Sequence, residues 1–306
     1  MTYFILANPN SGAHKGARVL EKLLPYLETE RVDYRLFATE KIGQEAELIK
    51  KICEQKEEID HLIIIGGDGT LSLSIDALPA EMPFSYIPAG SGNDFARSLS
   101  LSTDPIQAFV ALQKGNSHDI FIIKYQSQHL NGYALNNIGI GLDAAIVKAT
   151  NEGGMKKFLN RLKLGSLSYL LTALHVLFTK KSFRADVNFF DSSVKNNDLF
   201  DRAFLMTFTK HPYFGGGIRI APDASNLDAN IHLVEFDRIP LAKIFPLIPK
   251  VLNATHLDNP NFIHHISENF SITTSDNQPI QIDGETHEIR ATETLNLSTE
   301  KRTIIY

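Results

Sequence analysis

A single cysteine in 306 residues, Cys53, has no partner for an internal disulfide and cannot build a thiolate metal cluster. One such residue fits a reducing compartment. Positive charge is not in excess either: 30 Lys and Arg stand against 35 Asp and Glu, a formal net charge of −5. Without a basic footprint, nucleic acid is not an expected partner. No stretch of 18 apolar residues occurs, so no segment reads as a membrane span. No basic leader or cleavage site precedes the first strand-like run, Tyr3–Ala7, and the expected location is the cytoplasm. Repeats and low-complexity tracts are also missing. What is present suffices for a sizeable core, since 43% of residues are hydrophobic, and the length suits two domains.

Residues 1–124 alternate strand and helix patterns. Strands are expected over Tyr3–Ala7, Tyr34–Phe37, Leu62–Ile65 and Phe84–Ile87. Helices are expected over Ala17–Leu27, Gly43–Gln55, Leu71–Ala77 and Pro105–Lys114, the second with Ala46, Ile49 and Cys53 on one face. This alternation implies an α/β domain with a mainly parallel sheet, whose ligands sit beyond the C-terminal strand ends. From 125 to 299 short β-rich runs dominate: Ala185–Phe190, Arg202–Phe208, Ile231–Phe236, Phe270–Thr274, Ile280–Ile282 and Glu293–Ser298. One helical stretch, Leu159–Phe178, interrupts them. This half reads as a mostly antiparallel β-sandwich. The tail 300–306 is either a last strand or a return to the first domain.

The densest chemical signal is Gly66-Gly67-Asp68-Gly69-Thr70, directly after the apolar run Leu62–Ile65. Three glycines let backbone approach a ligand, one acid sits at their centre, and Thr70 is placed to cap a helix beginning at Leu71. A phosphate or nucleotide site follows more readily than a bare chain reversal. A second turn, Asn8-Pro9-Asn10-Ser11-Gly12, offers amides, a hydroxyl and nearby Lys15 and Arg18, although Asn-Pro and Ser-Gly also mark ordinary turns. In the third, Pro88–Arg97, glycines again flank a hydroxyl and an acid, and Asn93 or Asp94 could simply cap a helix. Asp68 and Asp94 end neighbouring strands, where two acids could hold Mg²⁺ against nucleotide phosphates.

In order and spacing these three turns resemble the nucleotide motifs of the diacylglycerol kinase catalytic domain, in the soluble bacterial lipid kinases related to sphingosine and ceramide kinases. The Gly-Gly-Asp-Gly-Thr run is shared with NAD kinases and nearly with phosphofructokinases; the other two turns favour the lipid kinases. The resemblance implies ATP and Mg²⁺ in a cleft between an α/β domain and a β-sandwich. ATP contacts would come from Asn8, Pro9, Asn10, Ser11, Gly12, Thr39, Gly66, Gly67, Asp68, Gly69, Thr70, Leu71 and Ser91, with Asp94 beside them. Ser91 stands where the family usually has Thr. Asp119 matches an acid that orders a metal–water network, although alone it reads as a surface acid. Ser225, Asp228 and Asn230 match a family metal site in an oxygen-rich loop. Ala229 stands there in place of the usual Gly, which matters if that residue needs positive φ. Asn136–Ala144 and Tyr213–Pro222 resemble glycine motifs that equally suit close packing.

Gln281–Glu285 closes the set. Asp283 and Glu285 could supply a general base and a metal-water ligand, or Asp-Gly could be a hairpin turn; the family match favours catalysis, and the pair stays unseparated. The implied activity is phosphoryl transfer from ATP to a lipid hydroxyl, most directly diacylglycerol, with another lipid or NAD as the alternative acceptor. Between 153 and 185 there is no Asp or Glu, but Lys156, Lys157, Arg161, Lys163, Lys180, Lys181 and Arg184 flank the apolar stretch Leu164–Phe178. That pattern suits a core helix with basic ends or a peripheral dock on anionic membrane. A homodimer is left open.

Overall fold

The computed structural model describes residues 1–152, 175–191, 194–214 and 217–306. Most of the helix expected over Leu159–Phe178 lies outside these residues, as do Lys156, Lys157, Arg161, Lys163, Gly215 and Gly216; residues 175–179 are helical.

Four parallel strands open the chain: β1 (Tyr3–Ala7), β2 (Tyr34–Ala38), β3 (His61–Gly66) and β4 (Ser85–Pro88), ordered β2-β1-β3-β4. β1 is buried throughout and β3 from Leu62 onward, as unbroken aliphatic runs require of strands covered on both faces. The covering helices are α1 (Ser11–Thr29), α2 (Glu45–Gln55), α3 (Asp68–Ala77), α4 (Asp94–Ser98) and α5 (Pro105–Gln113). Val19 and Leu23 of α1 and Phe109 of α5 pack with Ile5, Ile63 and Ile65 on one face. Ile49 and Ile52 of α2 and Leu71 and Ile75 of α3 pack with Leu6, Leu62 and Ile64 on the other. The stripe of α2 differs from the expected one: Glu45, Leu48, Ile49 and Ile52 are buried and Ala46 is exposed. Burying Leu48 and Ile52 removes more apolar surface from water than burying Ala46, so the helix rotates towards them.

The remaining strands are β5 (Ser117–Gln126), β6 (Asn131–Ala134), β7 (Asn137–Gly141), β8 (Phe183–Asp191), β9 (Val194–Thr209), β10 (Tyr213–Phe214), β11 (Ile218–Arg219), β12 (Ile231–Asp237), β13 (Phe262–Ser267), β14 (Phe270–Thr274), β15 (Gln278–Ile282), β16 (Glu285–Ile289) and β17 (Thr294–Ile305); helix α6 (Leu142–Glu152) follows β7. All but β10 and β11 join one 11-stranded sheet, ordered β16-β15-β7-β9-β8-β14-β17-β5-β6, with β12 and β13 branching from β9. Every pairing in it is antiparallel. Its halves enclose one core that includes Ile138, Phe183, Met206, Phe208, Phe270 and Ile280, the sandwich-like arrangement that short alternating strands favour.

The two sheets meet along β17. Its last residues pair with the start of β5, and Phe84 donates to Thr303 O and accepts from Ile305 N. Ile120, Ile122 and Ile304 pack in the core of the first domain, so β5 and β17 belong to the second sheet by pairing and to the first domain by burial.

Strand β12 carries one polar burden. Glu235 is fully buried opposite Met206 and Ile263, and neither carboxylate oxygen has a hydrogen-bond partner. Burial, with Asp237 nearby, pushes its pKa from 4.5 up to about 9. Between those values the folded chain binds one proton more than the unfolded chain, so this contribution to stability is full below 4.5 and lost as pH rises through about 9. Denaturant unfolding at pH 5 and pH 9 is expected to show the wild type losing stability with pH and Glu235→Gln losing much less.

Candidate active site

The three turns converge at the C-terminal edge of the parallel sheet. Asn8, after β1, donates through Nδ2 to Thr70 Oγ1 at 3.0 Å. Ser11 Oγ donates to Asn8 O at 2.9 Å and Ala89 O at 3.3 Å, and Lys15 Nζ reaches Gly90 O at 3.2 Å. A Cβ on Gly90 would lie 2.6 Å from the Cα of Gly67, so these two turns touch backbone to backbone and no side chain fits between them. Helix α3 starts at Asp68 after Gly67, three residues earlier than expected. Thr70 is therefore inside the first turn and does not cap it; its hydroxyl is the acceptor for Asn8. The amides of Asp68, Gly69 and Thr70 lie in the first turn of α3, where no intrahelical carbonyl takes up the donors, so they are available to an anionic group. Leu71 N–H already bonds Gly67 O, and its side chain lies in the core. Thr39 is buried at the end of β2, tied by its N–H to Ala7 O, whereas Asn10 and Ser91 are exposed at the turn tips. Lys15, Arg18 and Lys22 of α1 line a cavity of about 390 Å³ beside Gly90 and Asn93, which gives anionic groups a positive wall.

Asp68 and Asp94 come together as expected. Asp68 Oδ2 accepts from Asp94 N at 3.4 Å, while its buried Oδ1 has no partner. Burial and then the Asp94 charge raise its pKa; the amides of Phe95, Asp94 and Asn93 oppose the shift. Asp94 pairs with Arg97. An orphaned carboxylate oxygen beside a second acid fits a Mg²⁺ ion. Asp119 does not join them. It stands on β5 with its side chain over half exposed, paired to Lys301 at 3.1 Å, because its strand register turns it outward towards β17.

The structure separates Asp283 from Glu285. Asp283 has φ of 49° and collects four donors: Leu135 N and Ser72 Oγ on Oδ2, each at 2.8 Å, and Asn136 N and Asn137 N on Oδ1, at 2.9 and 3.1 Å. It clamps α3 to the β6–β7 turn. Burial raises its pKa and these donors pull it back. With two donors on each oxygen it is held as part of the turn in a way that Glu285 is not. Glu285, at the exposed start of β16, makes no side-chain hydrogen bond among the described residues and lines a cavity of about 190 Å³ shared with Gly69, Ser72, Asp76 and Tyr125. Burial followed by the charges of Asp76, Asp283 and Glu285 pushes Tyr125 up to about 12, so it remains a donor there.

A third cavity, of about 250 Å³, opens in the β domain. Phe204, Phe214, Phe236, Leu247, Val251 and Phe262 form much of its wall, and among the described residues Asp143 is the only polar or charged one that lines it. Asp143 Oδ2 accepts from Gln281 Nε2 at 2.8 Å, and Gln281 Oε1 accepts from Gly284 N at 2.7 Å. A short relay thus joins the apolar cavity to the turn carrying Glu285. Burial lifts Asp143 to about 7. Gly139 makes this possible, since a Cβ there would lie 1.8 Å from Asp143 Oδ2.

Residues 2–125 match the sequence profile of the diacylglycerol kinase catalytic domain, and residues 136–294 that of the YegS C-terminal NAD kinase beta sandwich-like domain. The chain belongs to the diacylglycerol kinase-like lipid kinase family. It is 28% identical over 292 residues to a protein of Bacillus subtilis (strain 168) provisionally named lipid kinase YtlR, covering 92% of this chain and 93% of that one. It is 25% identical over 286 residues to a diacylglycerol kinase of Staphylococcus carnosus (strain TM300), covering 92% and 87%. A solved diacylglycerol kinase from Bacillus anthracis str. Sterne shares the fold with a TM-score of 0.70 at 19% identity, covering 100% and 96%. An NAD kinase from Archaeoglobus fulgidus, solved with ATP, superposes more loosely, with a TM-score of 0.51 at 12% identity, covering 100% and 94%.

In this lipid kinase the loop expected to hold a second metal is already occupied. Lys210 Nζ donates to Asp228 O at 2.7 Å and to Asn230 O, and lies 3.7 Å from Asp228 Oδ1. Ser225 Oγ accepts from Leu227 N. Another cation does not fit beside the ammonium group. Ala229 has no positive φ, so the missing glycine leaves the loop unstrained. The sequence reading overlooked Lys210, Asp143, Gln281 and Ser72 as participants. Two had a usable signal: Asp143 is the only acid between Lys124 and Lys148, and Lys210 is the only Lys, Arg, Asp or Glu between Arg202 and Arg219. Isolated charges in apolar segments are rarely buried without a task.

The basic segment is only partly described. Lys180 points inward to Gln278 Oε1 at 2.7 Å, and Arg184 pairs with Asp201. Among the described residues no helix is long and apolar enough to cross a membrane.

Proposed function

We propose that this lipid kinase transfers the γ-phosphoryl group of ATP to a lipid hydroxyl, most directly that of diacylglycerol, giving phosphatidic acid. The observation that carries this reading is the apolar cavity with Asp143 at its polar end, joined through Gln281 to the Asp283–Glu285 turn. Acyl chains suit such a wall, and a soluble acceptor such as NAD leaves it without a use. The staphylococcal relatives named diacylglycerol kinase support the same acceptor.

The amides of residues 68–70 and the Gly90 turn hold the phosphates, and Lys15 and Arg18 add positive charge. Asp68 and Asp94 would hold Mg²⁺, which when bound neutralises charge on the transferred group. Glu285 accepts the proton of the attacking hydroxyl as the new O–P bond forms and the bond to the ADP oxygen breaks. Asp283 fixes the turn that presents Glu285.

The acceptor is taken from a membrane surface. Ile248 and Leu252 line the cavity and are exposed, as is Phe245; Lys243 and Lys250 stand close to them in the chain, and the sequence of residues 153–185 carries further positive charge. A screen with γ-³²P-ATP and mixed vesicles, followed by chromatography, is expected to place the label in a lipid. Label in NAD or another soluble acceptor, with none in vesicles, overturns the reading. Flotation with anionic vesicles should weaken as salt rises.

A further inference from the structure

The loop that the family resemblance equips with a metal is closed here by a side chain. Strand β9 runs through Phe208 and Thr209 and delivers Lys210 with no exposed surface. Its ammonium group meets two carbonyl oxygens, Asp228 O and Asn230 O, with Asp228 Oδ1 at 3.7 Å and the Phe121 ring centroid at 5.9 Å. Hard oxygens from two carbonyls and a carboxylate are the set that Mg²⁺ or Ca²⁺ would take. Asp228 Oδ1 is further engaged by Asn230 N at 2.8 Å.

We propose that Lys210 replaces the divalent cation of this loop, so that residues 225–230 hold their shape without a metal. Two positive charges within a few ångströms inside a protein repel strongly, so the ammonium group and a divalent ion exclude each other. The buried lysine is tolerated because three oxygens compensate for its lost hydration. The loop has work to do: Asn226 Oδ1 accepts from Ser98 Oγ at 2.9 Å, and Asn226 O accepts from Phe121 N at 2.7 Å. It therefore ties α4, which follows the third nucleotide turn, to β5 of the large sheet. Lys210 is a positioning residue for that junction. This inference rests on the loop geometry and not on the acceptor proposed above, and its test contains neither ATP nor lipid.

The test compares thermal melting of chelator-treated full-length protein with and without millimolar Mg²⁺ or Ca²⁺. Wild type is expected to melt at the same temperature in both. Lys210→Ala is expected to melt at least about 5 °C lower, the scale for removing a buried charge from its partners, and to recover part of that loss when Mg²⁺ or Ca²⁺ is added. A wild-type melting temperature that rises with metal and loses the rise in Asp228→Asn overturns the proposal. A rise abolished by Asp68→Asn and kept in Asp228→Asn belongs to the nucleotide acids and upholds it. If Lys210→Ala does not fold, the wild-type and Asp228→Asn comparison decides alone.

Discussion

Asp68→Asn is expected to lower phosphoryl transfer at least ~10²-fold while leaving the melting temperature unchanged or slightly higher, the low end for losing a positioned charged group at a reacting phosphate. Asparagine keeps the shape, and its carbonyl can take the amides of Asn93, Asp94 and Phe95 that now face Asp68. What it removes is the charge on Oδ1, the oxygen that is buried with no partner. In the folded protein that charge is unfavourable, being desolvated and close to Asp94. A carboxylate oxygen buried beside a second acid and left without a donor is placed for a cation. Steady-state rates at several Mg²⁺ concentrations, with melting curves on the same samples, check both halves. Normal turnover with a lowered melting temperature would make Asp68 a structural acid.

Glu285→Gln and Asp283→Asn are expected to fail in different ways. Glu285→Gln should lose at least ~10²-fold in rate with no change in melting temperature, because the Glu285 side chain is exposed and makes no hydrogen bond among the described residues. Asp283→Asn should instead lower the melting temperature. An asparagine offers one acceptor oxygen where four donors converge, and its amide group faces two of them. Hydrogen bonds to a charged acceptor contribute about 1.5–3 kcal/mol each, so losing two costs about 3–6 kcal/mol. Backbone strain is not the cause, since asparagine tolerates the positive φ at this position. Activity in this variant falls because the turn under Glu285 loosens. A stable Asp283→Asn with no activity, beside a working Glu285→Gln, would assign the base to Asp283.

Much of the fold is legible in the order of residues. Unbroken runs such as Leu62–Ile65 become buried parallel strands because every side chain there is apolar and β-branched or long. The edges of elements are less legible. Helix α3 starts at Asp68, directly after an extended Gly67, and the Thr70 hydroxyl that could have capped a later start is taken by Asn8, 62 residues away. Ala46 against Glu45 on α2 is decided by the size of Leu48 and Ile52, a packing matter that spacing alone does not reveal.

The site divides in the same way. The glycine turns are readable because close backbone contact, such as Gly67 against Gly90, admits no other residue. Asp119, Asp283 and Glu285 are equivalent acids until register and turn geometry set one beside Lys301, saturate one with amides and leave one open to a cavity. Ser225, Asp228 and Asn230 spell an oxygen-rich loop, yet a lysine 18 residues before Asp228 fills it. By itself the sequence determined a βαβ half, an antiparallel half and a sheet edge of glycine turns, because backbone chemistry is local. Only the tertiary structure decided which charges act, because the field at a carboxylate comes from groups that the chain brings together from far apart.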